Sequence, residues 1–395
     1  MDNEPGRVLI LNYNGSAQEV IDKVSAWPNC RVDIARSSRE ALKINRSVQI
    51  DVVICDIDMQ NVNWEGWYEE ADRLPFIIPT IILRRRNSVS DISRDMYFGA
   101  KGFVVKPQDD WEGLEKSVTR CIEFGKLRRE NTRYRQQLEE KNTELQANMK
   151  VLEQDLQAGR HVQMRMLPQS PLEIGEYIFS HAIIPSLYLS GDFTDYFKVG
   201  ATHAVFFMAD VSGHGSSSAF VTVLLKNLFA RKRSDYLHRV DGTVLNPANM
   251  LETANDELLR TGIGKHVTLC VGVIDFKANS LIYSIAGHLP LPILVSDGGI
   301  SYLQGKGSPV GLFEQAVVTQ HSIELPEKFM LALFSDGILE ILPPQNLIEK
   351  EQYLLKVFEE HYTEGGQQIL QHLGAEGVTD APDDIAALFV SRSMG

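Results

Sequence analysis

Cysteine is scarce in this chain. The four present, Cys30, Cys55, Cys121 and Cys270, lie far apart and form no CxxC pair. That spacing argues against a zinc site or a disulfide framework and suits a reducing compartment. No apolar run approaches the roughly 20 residues of a membrane span. The N-terminus, MDNEPG, lacks the basic-then-apolar order of a secretory signal. A cytoplasmic protein with no membrane partner is therefore expected. Positive charge is also in deficit: the formal net charge is −13. A general nucleic-acid binder is thereby disfavoured. Core-forming residues are not lacking, since 44% of the 395 residues are hydrophobic, enough for two or three domains.

Three patterns follow one another along the chain. Residues 1–121 alternate short apolar runs with amphipathic stretches. RVLIL, VDIAR, IDVVICDIDM, PTIIL and KGFVV read as strands, and SSREALKINRS reads as a helix behind a serine cap. That alternation predicts a doubly wound parallel α/β sheet. Residues 122–160 hold a long stretch without proline and without glycine from Lys126 until Gly159, in which Leu138, Leu145 and Leu152 recur every seven residues. Asn142, Met149 and Leu156 fill the other seam position. A short coiled-coil linker and a homodimer are expected from this heptad pattern, the polar Asn142 setting its register. The basic start of the linker, Lys126, Arg128 and Arg129, reads as a solvated helix face. Residues 161–395 are rich in strands joined by short turns and interrupted by long helices, such as NPANMLETANDELLRT with Asn246 as cap and Pro247 in the first turn. They predict an α+β sandwich.

The chemistry sits in four aspartate motifs of this last segment: SGDFTD (190–195), DVSGHG (210–215), SDG (335–337) and PDD (382–384). Carboxylates beside glycines, at strand ends and turns, are what a hard cation needs, because Mg²⁺ and Mn²⁺ prefer oxygen ligands. For each aspartate taken singly, the rival reading is a turn or cap residue.

HVQMRMLP (161–168), SGDFTDYF, DVSGHG, AGH (286–288), FSDGILE (334–340) and PDDIAALFV (382–390) stand in an order that resembles the metal-dependent serine/threonine phosphatases of the PPM type, in their SpoIIE/RsbU-like branch. Ser190 replaces a usual glycine and Ala386 a common threonine. The resemblance implies an αββα sandwich holding two Mn²⁺ or Mg²⁺ ions. Asp210 would bridge them, with the backbone carbonyl of Val211 on one and Asp336 and Asp383 on the other. Asp192 would bind directly or through water, and Asp195 is a weaker candidate. Asp384 fits an outer or capping role. Two ions held about 3.5–4 Å apart acidify a water for in-line attack on phosphorus. His214 could donate a proton to the leaving oxygen or simply hold the glycine turn. The usual substrate in this branch is a phosphorylated anti-sigma factor antagonist of STAS type.

The first segment resembles a bacterial response-regulator receiver domain. ICDIDM places Asp56 at the phosphoacceptor position, Lys106 at that of the phosphate-pairing lysine and Phe103 at the aromatic switch. The acidic Mg²⁺-holding pair of that family is replaced by Asn12 and Tyr13, and the switch hydroxyl by Arg84. Phosphoryl transfer to a carboxylate needs a cation to neutralise both reactants. A pseudo-receiver that works through protein contacts is therefore expected. The competing reading for the whole chain is a non-catalytic response-regulator adaptor that binds a sigma factor or another regulator. Proteins of that kind tend to lose the metal aspartates, which this chain keeps.

Overall fold

The computed structural model describes residues 5–12, 17–56, 78–84, 102–105, 111–213, 215–239, 241–375, 377–378 and 381–392, with backbone alone at 56, 84 and 102–105. The chain divides into two compact units, Met1–Ala147 and Asn148–Gly395. Among the described residues no helix is long and apolar enough to cross a membrane.

The first unit is built on five parallel strands: β1 (Gly6–Leu11), β2 (Cys30–Ala35), β3 (Val52–Asp56), β4 (Thr80–Arg84) and β5 (Gly102–Val105), in the order β2-β1-β3-β4-β5. Burial on both faces explains their unbroken Val/Ile/Leu runs. Val8, Ile10, Val52, Ile54, Ile81 and Leu83 face one core, and Leu9, Leu11, Val53, Cys55 and Ile82 face the other. That is the two-residue alternation of a strand. Helix α1 (Gln18–Ser25) covers the first face and α2 (Ser38–Ser47) the second. Ser37 caps α2 by accepting from Glu40 N, while Glu40 accepts from Arg36 N at 2.7 Å, a reciprocal start signal of the capping-box kind.

A third helix, α3 (Trp111–Met166), runs for 56 residues. The boundary expected between 121 and 122 falls inside it. Leu114, Val118 and Ile122 recur every four residues and pack into the first core, so helical periodicity passes from packed to exposed positions without a break. The basic stretch also differs from expectation at one residue: Arg129 forms an ion pair with buried Asp51. Asp51 Oδ2 further accepts from Arg7 N at 2.8 Å.

The second unit stacks two antiparallel sheets. One has the order β14-β11-β10-β9-β8, from β8 (Asp192–Val199), β9 (His203–Val211), β10 (Val267–Asp275), β11 (Ser280–Ala286) and β14 (Gln320–Glu324). The other has the order β13-β12-β15-β16-β7-β6, from β6 (Leu172–Ile174), β7 (Tyr177–Ile184), β12 (Ile293–Ser296), β13 (Gly299–Tyr302), β15 (Phe329–Phe334) and β16 (Ile385–Arg392). Phe179, Phe206, Leu333 and Leu388 fill the space between the sheets. Helices α4 (Ser216–Arg239) and α5 (Pro247–Thr261) cover the outer face of the first sheet through Leu225, Phe229 and Leu251. A short α6 (Gly337–Ile341), with α7 (Leu347–His361) and α8 (Gly366–His372), covers the outer face of the second. The layers are therefore αββα. Asn246 caps α5 by accepting from Asn249 N, with Pro247 in its first turn.

Candidate metal-binding active site

Antiparallel register sets the floor of the site. Asp192 opens β8 and stands directly opposite Asp210 on β9, which in turn faces Thr268 on β10. Directly opposed like charges destabilise a sheet, so this pair weakens the fold it sits in. The second sheet brings the other carboxylates. Its strands β15 and β16 pair Phe334 with Ala387. Ser335 N donates to Ala386 O at 3.0 Å, and Ala386 N donates to Ser335 Oγ at 2.8 Å. These bonds close the turns carrying Asp336 and Asp383 against each other. Gly337 makes the closure possible, because a Cβ there would lie 2.0 Å from Asp384 O. On the first sheet the chain leaves β9 through Gly213 and Gly215, at φ +71° and +88°, a region that suits glycine.

The carboxylates form a gradient from floor to mouth. Asp192 is buried, Asp210 half-buried, and Asp336 and Asp383 exposed. Burial raises the Asp192 carboxyl well above its ordinary value, and Asp210, Asp384 and Asp336 add to the rise, against a bond from Ser335. Burial, then Asp336 and Asp383, push Asp210 up to about 7. Asp336, though exposed at the mouth, is raised by partial desolvation of its carboxyl, then by Asp383 and Glu340. Asp192 Oδ2 is buried with no partner among the described residues. Converging carboxylates that destabilise one another, one with an orphaned oxygen, fit a hard divalent cation.

Two neighbouring aspartates are engaged elsewhere. Asp195, three residues along β8, projects to the opposite face and bonds Lys226 Nζ at 2.7 Å. Asp384 accepts from Ser186 N at 2.7 Å, Ser186 Oγ at 2.9 Å and Gly191 N at 2.7 Å. It thereby ties the loop before β8 to the start of β16. Val211 ends β9, next to Asp210. His288 is buried, with neither ring nitrogen partnered among the described residues, and burial lowers it to about 4. His214 and Lys106 lie outside the described residues, as does the Asp56 side chain at the end of β3. Asn12, at one of the substituted acidic positions, accepts from Ala17 N at 3.4 Å.

Sequence reasoning did not single out Gln163, which lies near the end of α3 and is buried. Its Nε2 donates to Ser190 O at 2.7 Å and Thr222 Oγ1 at 3.2 Å, and its Oε1 accepts from Ser190 N at 3.1 Å. The bonds immobilise Ser190, whose Oγ accepts from Asp192 N at 3.0 Å. The available signal was a lone amide flanked by Val162 and Met164 in HVQMRMLP.

Two family models match the chain: a response regulator receiver domain over residues 8–118 and Stage II sporulation protein E (SpoIIE) over 200–393. The second match spans Asp210, Asp336 and Asp383 and begins after Asp192. Protein IcfG of Synechocystis is 25% identical over 231 residues, covering 53% of this chain and 36% of that protein. The Bacillus subtilis phosphoserine phosphatase RsbP is 27% identical over 187 residues, covering 47% and 45%. The B. subtilis phosphoserine phosphatase RsbU is 22% identical over 269 residues, covering 68% and 74%. The chain thus spans less than half the length of the first two relatives. In fold, it resembles the SiaA-PP2C domain of Pseudomonas aeruginosa, at a TM-score of 0.51 and 20% identity over 62% of this chain and 98% of that one. The chain therefore joins a response regulator receiver domain to a phosphatase domain of the PPM type. Within that class the phosphatase domain is of the SpoIIE kind.

Proposed function

We propose that this protein is a metal-dependent phosphoprotein phosphatase of bacterial signalling, acting on phosphoserine or phosphothreonine. The observation that carries the proposal is the mutual repulsion of Asp192, Asp210 and Asp336, with Asp383 acting on Asp210 and Asp336 and with an orphaned buried oxygen on Asp192. These four side chains and the Val211 carbonyl would hold two Mn²⁺ or Mg²⁺ ions. When bound, such ions neutralise charge on a phosphoryl group and acidify water. The protein supplies position. Asp384 and Gln163 fix the chain just before Asp192, through Ser186, Gly191 and Ser190, and the exposed pair Asp336 and Asp383 faces incoming substrate. His214, four residues after Asp210 in the sequence, is the candidate proton donor to the leaving serine oxygen. The RsbU and RsbP relatives, both named phosphoserine phosphatases, support a phosphorylated protein substrate. A STAS-type anti-sigma factor antagonist is the specific reading.

The receiver would act through contacts and association. Asn12 serves a turn where a metal carboxylate would be needed, and the seam residues Leu138, Leu145, Met149 and Leu152 are exposed on a single chain, each at 58% or more. A second copy would cover them. Acetyl phosphate with Mg²⁺ should leave Asp56 unmodified; a stable adduct there would defeat this part.

The deciding experiment compares hydrolysis of p-nitrophenyl phosphate and of a phosphorylated STAS protein with Mn²⁺, for the full chain and Asp210→Asn. Activity that needs Mn²⁺ and is lost in the variant is expected. A chain inactive on both substrates would be an adaptor instead.

A further inference from the structure

Away from the aspartates, the second unit holds a cluster with different coordination chemistry. His361 ends α7, Glu364 closes the 3₁₀ turn that follows (Tyr362–Glu364), and His372 ends α8. His361 Nδ1 lies 2.8 Å from Glu364 Oε1, and His372 Nε2 lies 3.0 Å from Glu364 Oε2. The two imidazoles stack with centroids 3.6 Å apart and planes 12° apart. One donor atom from each of the three residues falls within 4.8 Å of the others. Two imidazole nitrogens and a carboxylate thus converge on one small volume.

A purely ionic account of this cluster is poor. Pulling both histidines into ion pairs with Glu364 would place two imidazolium rings face to face at 3.6 Å, where like charges repel. Two neutral imidazoles instead satisfy Glu364 with one N–H each, and a dication would take the place of those two protons, with the rings turned out of their stack so that both in-plane lone pairs reach it. The far nitrogen of His361, Nε2, lies 3.8 Å from Glu360 Oε2. At that separation Glu360 adds a nearby negative charge and not a hydrogen bond to the ring. The donors also stand on anchored elements: Leu354 and Phe358 of α7 and Ile369 and Leu370 of α8 are buried in one core.

We propose that His361, Glu364 and His372 form a surface site for a borderline transition-metal dication, Zn²⁺ foremost, distinct from the hard-cation aspartates. Imidazole suits Zn²⁺, Cu²⁺ and Ni²⁺, whereas an all-carboxylate set suits Mg²⁺ and Mn²⁺. Three protein ligands leave a fourth tetrahedral position for water or a partner's side chain. With side chains 26%, 45% and 38% exposed, the site can be loaded from solution without opening the fold. A metal there would clamp the end of α7 to the end of α8. The proposal does not depend on the phosphatase reading.

The test is calorimetric titration of Zn²⁺ into untagged full-length protein, Asp210→Asn, His372→Ala and the double variant. The unsubstituted protein and Asp210→Asn should share one Zn²⁺ equivalent. His372→Ala should weaken that event by ~100-fold or more, since even outer-shell partners are worth about 10–100-fold. Mn²⁺ binding should be the same in His372→Ala as in the parent. Cu²⁺ loaded at this site should show nitrogen superhyperfine coupling from two imidazoles, falling to one in His372→Ala. Far-UV circular dichroism checks folding, and Glu364→Gln provides a second variant with the same expected loss of zinc. Zinc binding that vanishes in Asp210→Asn, or that survives unchanged in His372→Ala or Glu364→Gln, overturns the proposal.

Discussion

Site and stability oppose each other at Asp210. Without metal its carboxyl is pushed from the ordinary 3.8 to about 7, by burial first and then by Asp336 and Asp383. A carboxyl raised on folding binds its proton more tightly in the folded state. Below about pH 4 both states hold the proton, so folding carries no penalty. The penalty grows as pH rises from about 4 to about 7 and is complete above that. A rise from 3.8 to about 7 corresponds to ~4 kcal/mol at pH 8. The same repulsion is shared with Asp192 and Asp336, so about half, ~2 kcal/mol, should be recovered when Asp210 alone is neutralised.

Asp210→Asn should therefore stabilise the metal-free phosphatase unit by about 2 kcal/mol at pH 8 while abolishing metal-dependent hydrolysis. The stability gain should shrink towards pH 5. The four tryptophans, Trp27, Trp64, Trp67 and Trp111, all lie in the 1–147 unit. Fluorescence therefore follows that unit alone, and far-UV circular dichroism follows both. Urea unfolding in EDTA, read by both signals at pH 8 and pH 5.5, isolates the phosphatase transition. Saturating Mn²⁺ should raise the parent's transition and leave the variant's little changed, by mass action on the folded state. A variant less stable than its parent at pH 8 without metal would refute the reasoning. So would a parent transition that does not move between the two pH values.

Three further outcomes are expected. Gly337→Ala should cost about 1–3 kcal/mol by overpacking, because its Cβ would meet Asp384 O at 2.0 Å; it should also weaken Mn²⁺ affinity, read by calorimetry. Arg129→Ala strands Asp51, whose side chain is only 7% exposed. It should destabilise the receiver unit by about 1–3 kcal/mol in tryptophan-monitored urea unfolding, less than a fully buried pair because Arg129 is partly solvated. An Asp51→Asn background should remove most of that cost. Leu145→Glu should convert a dimer to a monomer in sedimentation, without shifting either unfolding transition, since Leu145 is 58% exposed on a single chain.

The parallel sheet was legible because burial on both faces leaves an unmistakable residue run: Val8 to Leu11 and Val52 to Cys55 are apolar at every position. The helix start at Trp111 was less so. Leu114, Val118 and Ile122 pack, while Leu138, Leu145 and Leu152 are exposed, yet all share one helical period, and only the fold shows where packing stops. Three of the four aspartate motifs announced themselves by their glycines, and PDD has none. What each carboxylate touches did not follow from the motif. Strand β8 begins at Asp192, inside the SGDFTD motif, and with that start Asp192 and Asp195 fall on opposite faces. Asp383 and Asp384 are neighbours in sequence, but one faces solvent and the other is buried on Ser186 and Gly191. Nothing local to PDD distinguishes them, because the difference lies in a loop nearly two hundred residues upstream.

The same distance in sequence bears on regulation. Gln163 belongs to the helix that also supplies Leu114, Val118 and Ile122 to the receiver core, and its amide fixes Ser190, two residues before Asp192. A small rotation of that helix would break a paired amide contact at a buried position, which costs about 1–3 kcal/mol for each group left unsatisfied. That is enough to change the occupancy of a cation site by an order of magnitude. Aspartyl phosphorylation is the usual way to move such a helix from a receiver. In this chain Asn12 stands where a metal carboxylate would be required, and the exposed heptad stripe lies along the helix itself. Under the proposal that two copies associate along that stripe, their association would act on the element carrying Gln163 in place of phosphoryl transfer.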